Sequence, residues 1–231
     1  MYLPDAGERT MMNFIQYLTF KIDSAWRRCP EAERAEGRAE FAHALEHSPG
    51  ITTFAYSTLG FKNDSDLLLW RMAESPECAQ ESLHALLQTP LGHHCELTHS
   101  FIGLIRPSTY VRRPTSQEQA LFEQDRQRYL IVYPFVKTAE WYMLSKEERQ
   151  TMMNDHMRIG HEYPMVRQLL AYSTGLDDQE FIVAYETNDL DAFQTLVIAL
   201  RATKARLYTL RDTPIFTAVY RPLAETLALL G

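Results

Sequence analysis

At 231 residues, with 45% hydrophobic and 23% charged side chains, the chain has the composition of a folded globular protein, long enough for one large domain or two small ones, and not that of a disordered, collagenous or disulfide-stapled polypeptide. A net charge of -7 and a pI near 5.6 argue against a surface that tracks nucleic-acid phosphates, which needs an excess of Lys and Arg; a local basic pocket is still allowed. Three irregularly spaced cysteines, Cys29, Cys78 and Cys95, without a CxxC, suit a reducing compartment. No secretory leader and no membrane-spanning run of about 18 apolar residues is legible, so the expectation is a cytoplasmic protein acting on something small or on another protein.

In chain order, a β-type run at 14–22 leads to a polar, helix-favouring stretch at 30–47. Two strands around the turn Gly60-Phe61-Lys62-Asn63-Asp64 follow, then a helix at 76–88 and a strand at 100–106. The pattern then repeats. A run at 129–136 leads to a helical stretch at 145–163, two strands around Gly175-Leu176-Asp177-Asp178, a helix at 190–203 and a strand at 215–220. AYST occurs in both copies, within TFAYSTLGFKNDSDLLLWRMAESPE and LLAYSTGLDDQEFIVAYETNDLD, and each copy is preceded by a tryptophan, Trp26 or Trp141. This is a duplicated β-α-β-β-α-β unit, the ferredoxin-like motif. It divides the chain into an N-terminal half, 1–113, a connector, 114–128, and a C-terminal half, 129–231. The halves differ in chemistry: fifteen residues beyond the tryptophan stands Phe41 in the first but His156 in the second, which places a site in the C-terminal half.

The helix from Ser145 opens with Ser-Lys-Glu-Glu, a capping box between Ser145 and Glu148. Met152, His156, Ile159 and Tyr163 follow helical spacing along one apolar stripe, with Arg149, Asn154, Asp155 and Arg158 mostly elsewhere. A histidine there is either a core residue satisfied by one hydrogen bond or an axial ligand to a haem-type iron. His161 points roughly 140° away from it. His43 and His47 form an i, i+4 pair on a charged helix without a third ligand, and His93, His94, Cys95 and His99 are irregularly spaced; neither set reads as a metal site. Along the strand at 129–136 and just past it, Tyr133, Phe135 and Lys137 share a face if Pro134 keeps the alternation. A buried lysine there either snorkels or needs an anionic partner such as a ligand carboxylate.

The segment YPFVKTAEWYMLSKEERQTMMNDHMRIGHEYP, followed by STGLDDQEF and LRATKARLYTLRDTPIF, resembles the chlorite dismutase superfamily and, within it, the peroxide-dependent coproheme decarboxylases of haem biosynthesis. The resemblance is specific over the C-terminal half and looser over the N-terminal half. It implies an α+β fold in which two ferredoxin-like halves form a dimeric α+β barrel within one chain, usually assembled as a homopentamer. Residue by residue, it makes His156 the proximal ligand of the haem iron and Tyr133 the tyrosine whose radical attacks the reactive propionate. Lys137 becomes the partner of that propionate, Trp141 the tryptophan beneath the haem, and Tyr110 a propionate contact. The implied reaction is oxidative decarboxylation of two propionates of iron-coproporphyrin III by hydrogen peroxide, giving haem b, with coproheme as both substrate and cofactor.

Departures from the family pattern define the alternatives. Chlorite-degrading members carry an arginine on the strand before STGLDD; counting back reaches Gln168, as in many decarboxylases, with Arg167 adjacent and turned inward by a one-residue register shift. The position of Tyr133 is usually aliphatic in those members. A family glutamate that bonds the proximal imidazole aligns near Lys204 and Ala205, so that role is unassigned. Arg126 and Arg128 are candidates for holding propionates. Chlorite dismutation and non-catalytic haem carriage stand as the competing readings.

Overall fold

The computed structural model describes residues 14–108, 110 and 125–231, which fall into two compact units, one of residues up to Leu104 together with Pro222–Gly231, the other Ile105–Arg221.

In the first unit, FIQYLTFKI forms strand β1 (Phe14–Ile22), with seven of its nine residues buried. Such a continuous apolar run suits a strand with partners on both sides. Those partners are β3 (Ser65–Ala73) and β4 (Cys95–Leu104), both antiparallel, with β2 (Ile51–Lys62) paired to the far side of β3, giving the order β4-β1-β3-β2. Gly60, with φ of 82°, lies beside the β2–β3 turn in the left-handed region that glycine adopts without a Cβ penalty. Helices α1 (Glu31–Glu46) and α2 (Pro76–Leu87) connect the strands. Gly37, Phe41 and Leu45 are the buried positions of α1, four residues apart as one helical face requires. Gly37 admits the Trp26 indole: a Cβ there would stand 2.8 Å from Trp26 Cη2. Ser75 caps α2 by accepting from the Cys78 amide at 3.3 Å.

The second unit is centred on β5 (Tyr129–Lys137). It pairs with β7 (Phe181–Thr187) on one side, with β9 (Phe216–Tyr220) on the other, and with the short β8 (Thr209–Arg211) near its end; β7 pairs in turn with β6 (Arg167–Tyr172). The order β6-β7-β5-β9 matches that of the first unit. Pro134 lies opposite Ile182, where the β9 ladder has already ended at Val132, so the missing amide donor breaks no pairing there. Helices α3 (Ala139–Met143), α4 (Lys146–His161) and α5 (Leu190–Arg201) connect the strands. The capping box of α4 is present: the Glu148 amide donates to Ser145 Oγ at 3.2 Å and the Ser145 amide to Glu148 Oε2 at 2.9 Å.

Two boundaries differ from the sequence reading. The chain's last stretch, α6 (Leu223–Ala228) and the residues after it, belongs to the first unit, because Leu227 and Leu230 are buried in the cluster of Trp26, Phe41 and Leu45. The second unit starts at Ile105; of the connector, 114–124 lie outside the described residues. Among the described residues no helix is long and apolar enough to cross a membrane.

Candidate functional site

A cavity of about 380 Å³ lies within the second unit, in the size range of small-molecule and cofactor sites. Strand alternation builds one wall. Tyr133, Phe135 and Lys137 of β5 all line it, as do Val183 and Tyr185 of β7 and Gln168 of β6. Pro134 keeps the alternation, since the β5–β7 register runs unbroken through it. Intervening residues such as Leu130, Val132, Ile182 and Ala184 are buried. Gln168 pairs with Tyr185, and Arg167 with Glu186. Arg167 therefore points the other way, donating to the Asp125 carbonyl at 2.9 Å and lying 3.7 Å from its carboxylate. No register shift brings it inward.

Helix α4 supplies the facing wall through Arg149, Met153, His156 and Gly160. This corrects the expected stripe. Ile159 and Tyr163 pack into the apolar cluster of Val166, Val183, Tyr185 and Leu196, whereas the cavity face is centred about 45° round the helix on the other side of His156. His156 thus stands at the seam between core and cavity. Arg149, seven residues earlier and so two turns along the same face, joins it. Burial, assisted by the charge of Lys137, pulls the His156 pKa down to about 4. The ring is therefore neutral at pH 7, the form that ligates a metal, and no hydrogen bond engages it among the described residues. His161 is exposed at the cavity edge.

Lys137 has no carboxylate in ion-pair range among the described residues. Its ammonium donates to the Ala205 carbonyl at 3.4 Å and lies 4.4 Å from the centre of the buried Trp141 ring, a cation–π contact. Burial, against the opposing pull of Glu180, lowers its pKa to about 8. Tyr133 is raised above the usual phenol range, first by burial. Tyr110 lines the cavity, with its carbonyl accepting from Gln150 Nε2 at 3.2 Å.

Several lining groups were not singled out from the sequence: Arg149, Arg201, Arg206, Asp212, Tyr142 and Tyr185. Asp212 accepts from Arg206 at 2.6 Å and Arg201 at 3.4 Å. It is the single carboxylate among the described lining residues, beside the cations Lys137, Arg149, Arg201 and Arg206. Arg149 Nε is enclosed without a hydrogen-bond partner among the described residues. Arg126 and Arg128 do not contribute: Arg126 is fully enclosed 3.6 Å from Glu186, and Arg128 lies over the Tyr129 ring at 5.2 Å. Elsewhere, the exposed His43 and His47 rings stack at 4.1 Å, His94 packs on Trp26, and Cys95 donates to the Leu91 carbonyl at 3.3 Å.

A family model described as chlorite dismutase matches residues 32–221. The coproheme decarboxylase of Mycolicibacterium smegmatis is 30% identical over 211 residues, covering 88% of this chain and 89% of that protein. The chlorite dismutase of Ideonella dechloratans is 29% identical over 219 residues, covering 91% of this chain and 77% of that protein. The solved structure of chlorite dismutase from Candidatus Nitrospira defluvii in complex with imidazole superposes with a TM-score of 0.87 at 31% identity, covering 95% of each chain. The α+β fold is similar to that structure.

Proposed function

The chain belongs to the chlorite dismutase family, and on that premise we propose that it is a peroxide-dependent decarboxylase of iron-coproporphyrin III, converting two propionates to vinyl groups to give haem b. The observation that carries this reading is the company His156 keeps: Tyr133 and Lys137 line its cavity, and Gln168 rather than Arg167 faces it. The resemblance ties a tyrosine and a glutamine at these positions to decarboxylation, and an inward arginine to chlorite.

The residues fit an iron porphyrin. A neutral imidazole stands at the wall, and Gly160, also on the wall, leaves open space, with nothing within 4 Å of where a Cβ would be. The Arg149 Nε is enclosed without an acceptor among the described residues, and Lys137, Arg149, Arg201 and Arg206 outweigh Asp212 in the lining, the sign of charge that a porphyrin bearing carboxylates requires. When bound, the porphyrin iron supplies the two-electron chemistry of peroxide. His156 would hold the iron through its neutral imidazole. Trp141 and Phe135 would wall the ring, while Lys137 and the flanking arginines would fix the carboxylates, turning an encounter between phenol and propionate into a positioned one. Tyr133, once oxidised to its phenoxyl, would take a hydrogen atom from the propionate, its O–H bond re-forming as the C–H bond breaks. Overall, one propionate, one hydrogen peroxide and one proton give a vinyl group, one carbon dioxide and two waters.

The shared sheet order of the two units supports duplication of a ferredoxin-like unit. A homo-oligomer, a pentamer by the family resemblance, is proposed as well: Met143, Leu207 and Leu210 are exposed apolar side chains that a second copy would cover, and sedimentation tests this.

The deciding experiment follows porphyrin mass after coproheme and peroxide are added, with a parallel oxygen trace in chlorite. The expected result is loss of two carbon dioxides without oxygen release. Tyr133→Phe should bind coproheme and leave its mass unchanged; full activity in that variant sinks the proposal. Sustained oxygen release from chlorite assigns the other reaction, and haem binding with no mass change assigns a carrier.

A further inference from the structure

We propose that Tyr185 is a redox partner of Tyr133, a second phenol that exchanges its hydroxyl hydrogen atom with the Tyr133 phenoxyl. The proposal rests on the decarboxylase reading for its oxidant, hydrogen peroxide, and extends it by one residue and one step. In the β5–β7 ladder Tyr133 pairs with Val183, and Ile131 with Tyr185. The two tyrosines are therefore diagonal neighbours on one sheet face, with ring centroids 6.1 Å apart. Both line the cavity, yet unequally. Tyr185 is 4% exposed and packs against Phe193 at 5.2 Å, among Val166, Val183 and Leu196; Tyr133 is half-buried.

Burial raises both phenols above their ordinary range. Each is neutral at pH 7 and carries a hydrogen atom to give. In the exchange the Tyr133 O–H bond forms as the Tyr185 O–H bond breaks. One electron and one proton move together, so no charge is created in a wall that would penalise it. Donor and acceptor are the same chemical group, so the step is close to thermoneutral and reversible. A radical on Tyr185 is screened from solvent by the sheet core, and Tyr133 regains it once a propionate is seated.

The test places 3,5-difluorotyrosine at position 185, loads the protein with ferric haem b, adds hydrogen peroxide and records freeze-quench electron paramagnetic resonance. Fluorine splitting on part of the tyrosyl signal, lost when Tyr133→Phe is added, is the expected result. A tyrosyl signal without fluorine splitting, splitting that survives Tyr133→Phe, or no tyrosyl signal overturns the relay. Coproheme decarboxylation by the wild type, measured beside it, judges the parent reading. Decarboxylation with an unsplit signal overturns the relay alone; a protein that neither binds haem nor decarboxylates overturns both.

Discussion

Replacing Lys137 with methionine should stabilise the ligand-free protein while weakening its hold on substrate. The ammonium sits in the cavity with a carbonyl at 3.4 Å and an aromatic face at 4.4 Å but no ion-pair partner among the described residues, and its pKa falls from 10.5 to about 8. At about 1.4 kcal/mol per unit, that is roughly 3 kcal/mol set against the charged form. Water in the open cavity screens part of it, leaving roughly 1.5 kcal/mol. Because the folded pKa is the lower one, the unfolded chain binds more protons between about pH 8 and 10.5. The wild type therefore gains stability as pH rises through that window, and Lys137→Met does not. Urea unfolding of both proteins from pH 7 to 10.5 measures the difference. The variant should be more stable by roughly 1.5 kcal/mol at pH 7, with a thermal midpoint higher by roughly 3–6 °C, and the two curves should converge near pH 10.5. Coproheme affinity should fall by roughly ten- to a hundredfold, the worth of a charge-assisted hydrogen bond. Parallel pH profiles, or a variant no more stable than the wild type at pH 7, would refute the reasoning.

His156→Leu should abolish haem binding in a Soret titration. It should also flatten acid unfolding: the wild-type imidazole, held neutral down to about pH 4, costs the fold stability as pH falls below 6.5, and the leucine variant lacks that loss. Ser145→Ala removes one side of the capping box and should lower stability by about 1 kcal/mol in denaturant titration. Gly92→Ala would drive a Cβ into the Leu86 carbonyl and the Leu87 backbone; about 3 kcal/mol of stability should be lost, read as a lower urea midpoint.

The strands and the duplicated order were legible because period-two alternation and glycine turns are local signals. The same alternation separates Gln168 from Arg167, but only once the β6–β7 register is known, and register is a long-range property that a sequence states weakly. Along α4 the apolar stripe was visible and its meaning was not. Ile159 and Tyr163 mark the core face, while the cavity begins at His156 and takes in Arg149, whose spacing two turns before the histidine could have revealed it. Arg201 and Arg206 flank the end of α5 in the motif LRATKAR, yet what joins them is Asp212, beyond reach of periodicity. Tyr185 lies in the apolar run FIVAYE, where a phenol is indistinguishable from core until its diagonal neighbour is known.

The return of α6 to the first unit has a consequence for the order of assembly. Trp26 Nε1 donates to the Gly231 carbonyl at 3.0 Å across 205 residues of sequence, and Arg38 donates to the same oxygen at 2.6 Å. The core that the N-terminal strands begin therefore stays open, short of Leu227 and Leu230, while the whole second unit is synthesised. The residues that complete the first unit's cluster are thus made after every residue of the second unit. Deleting residues 223–231 should then leave that cluster unfinished and its strands more open to proteases, read by limited proteolysis.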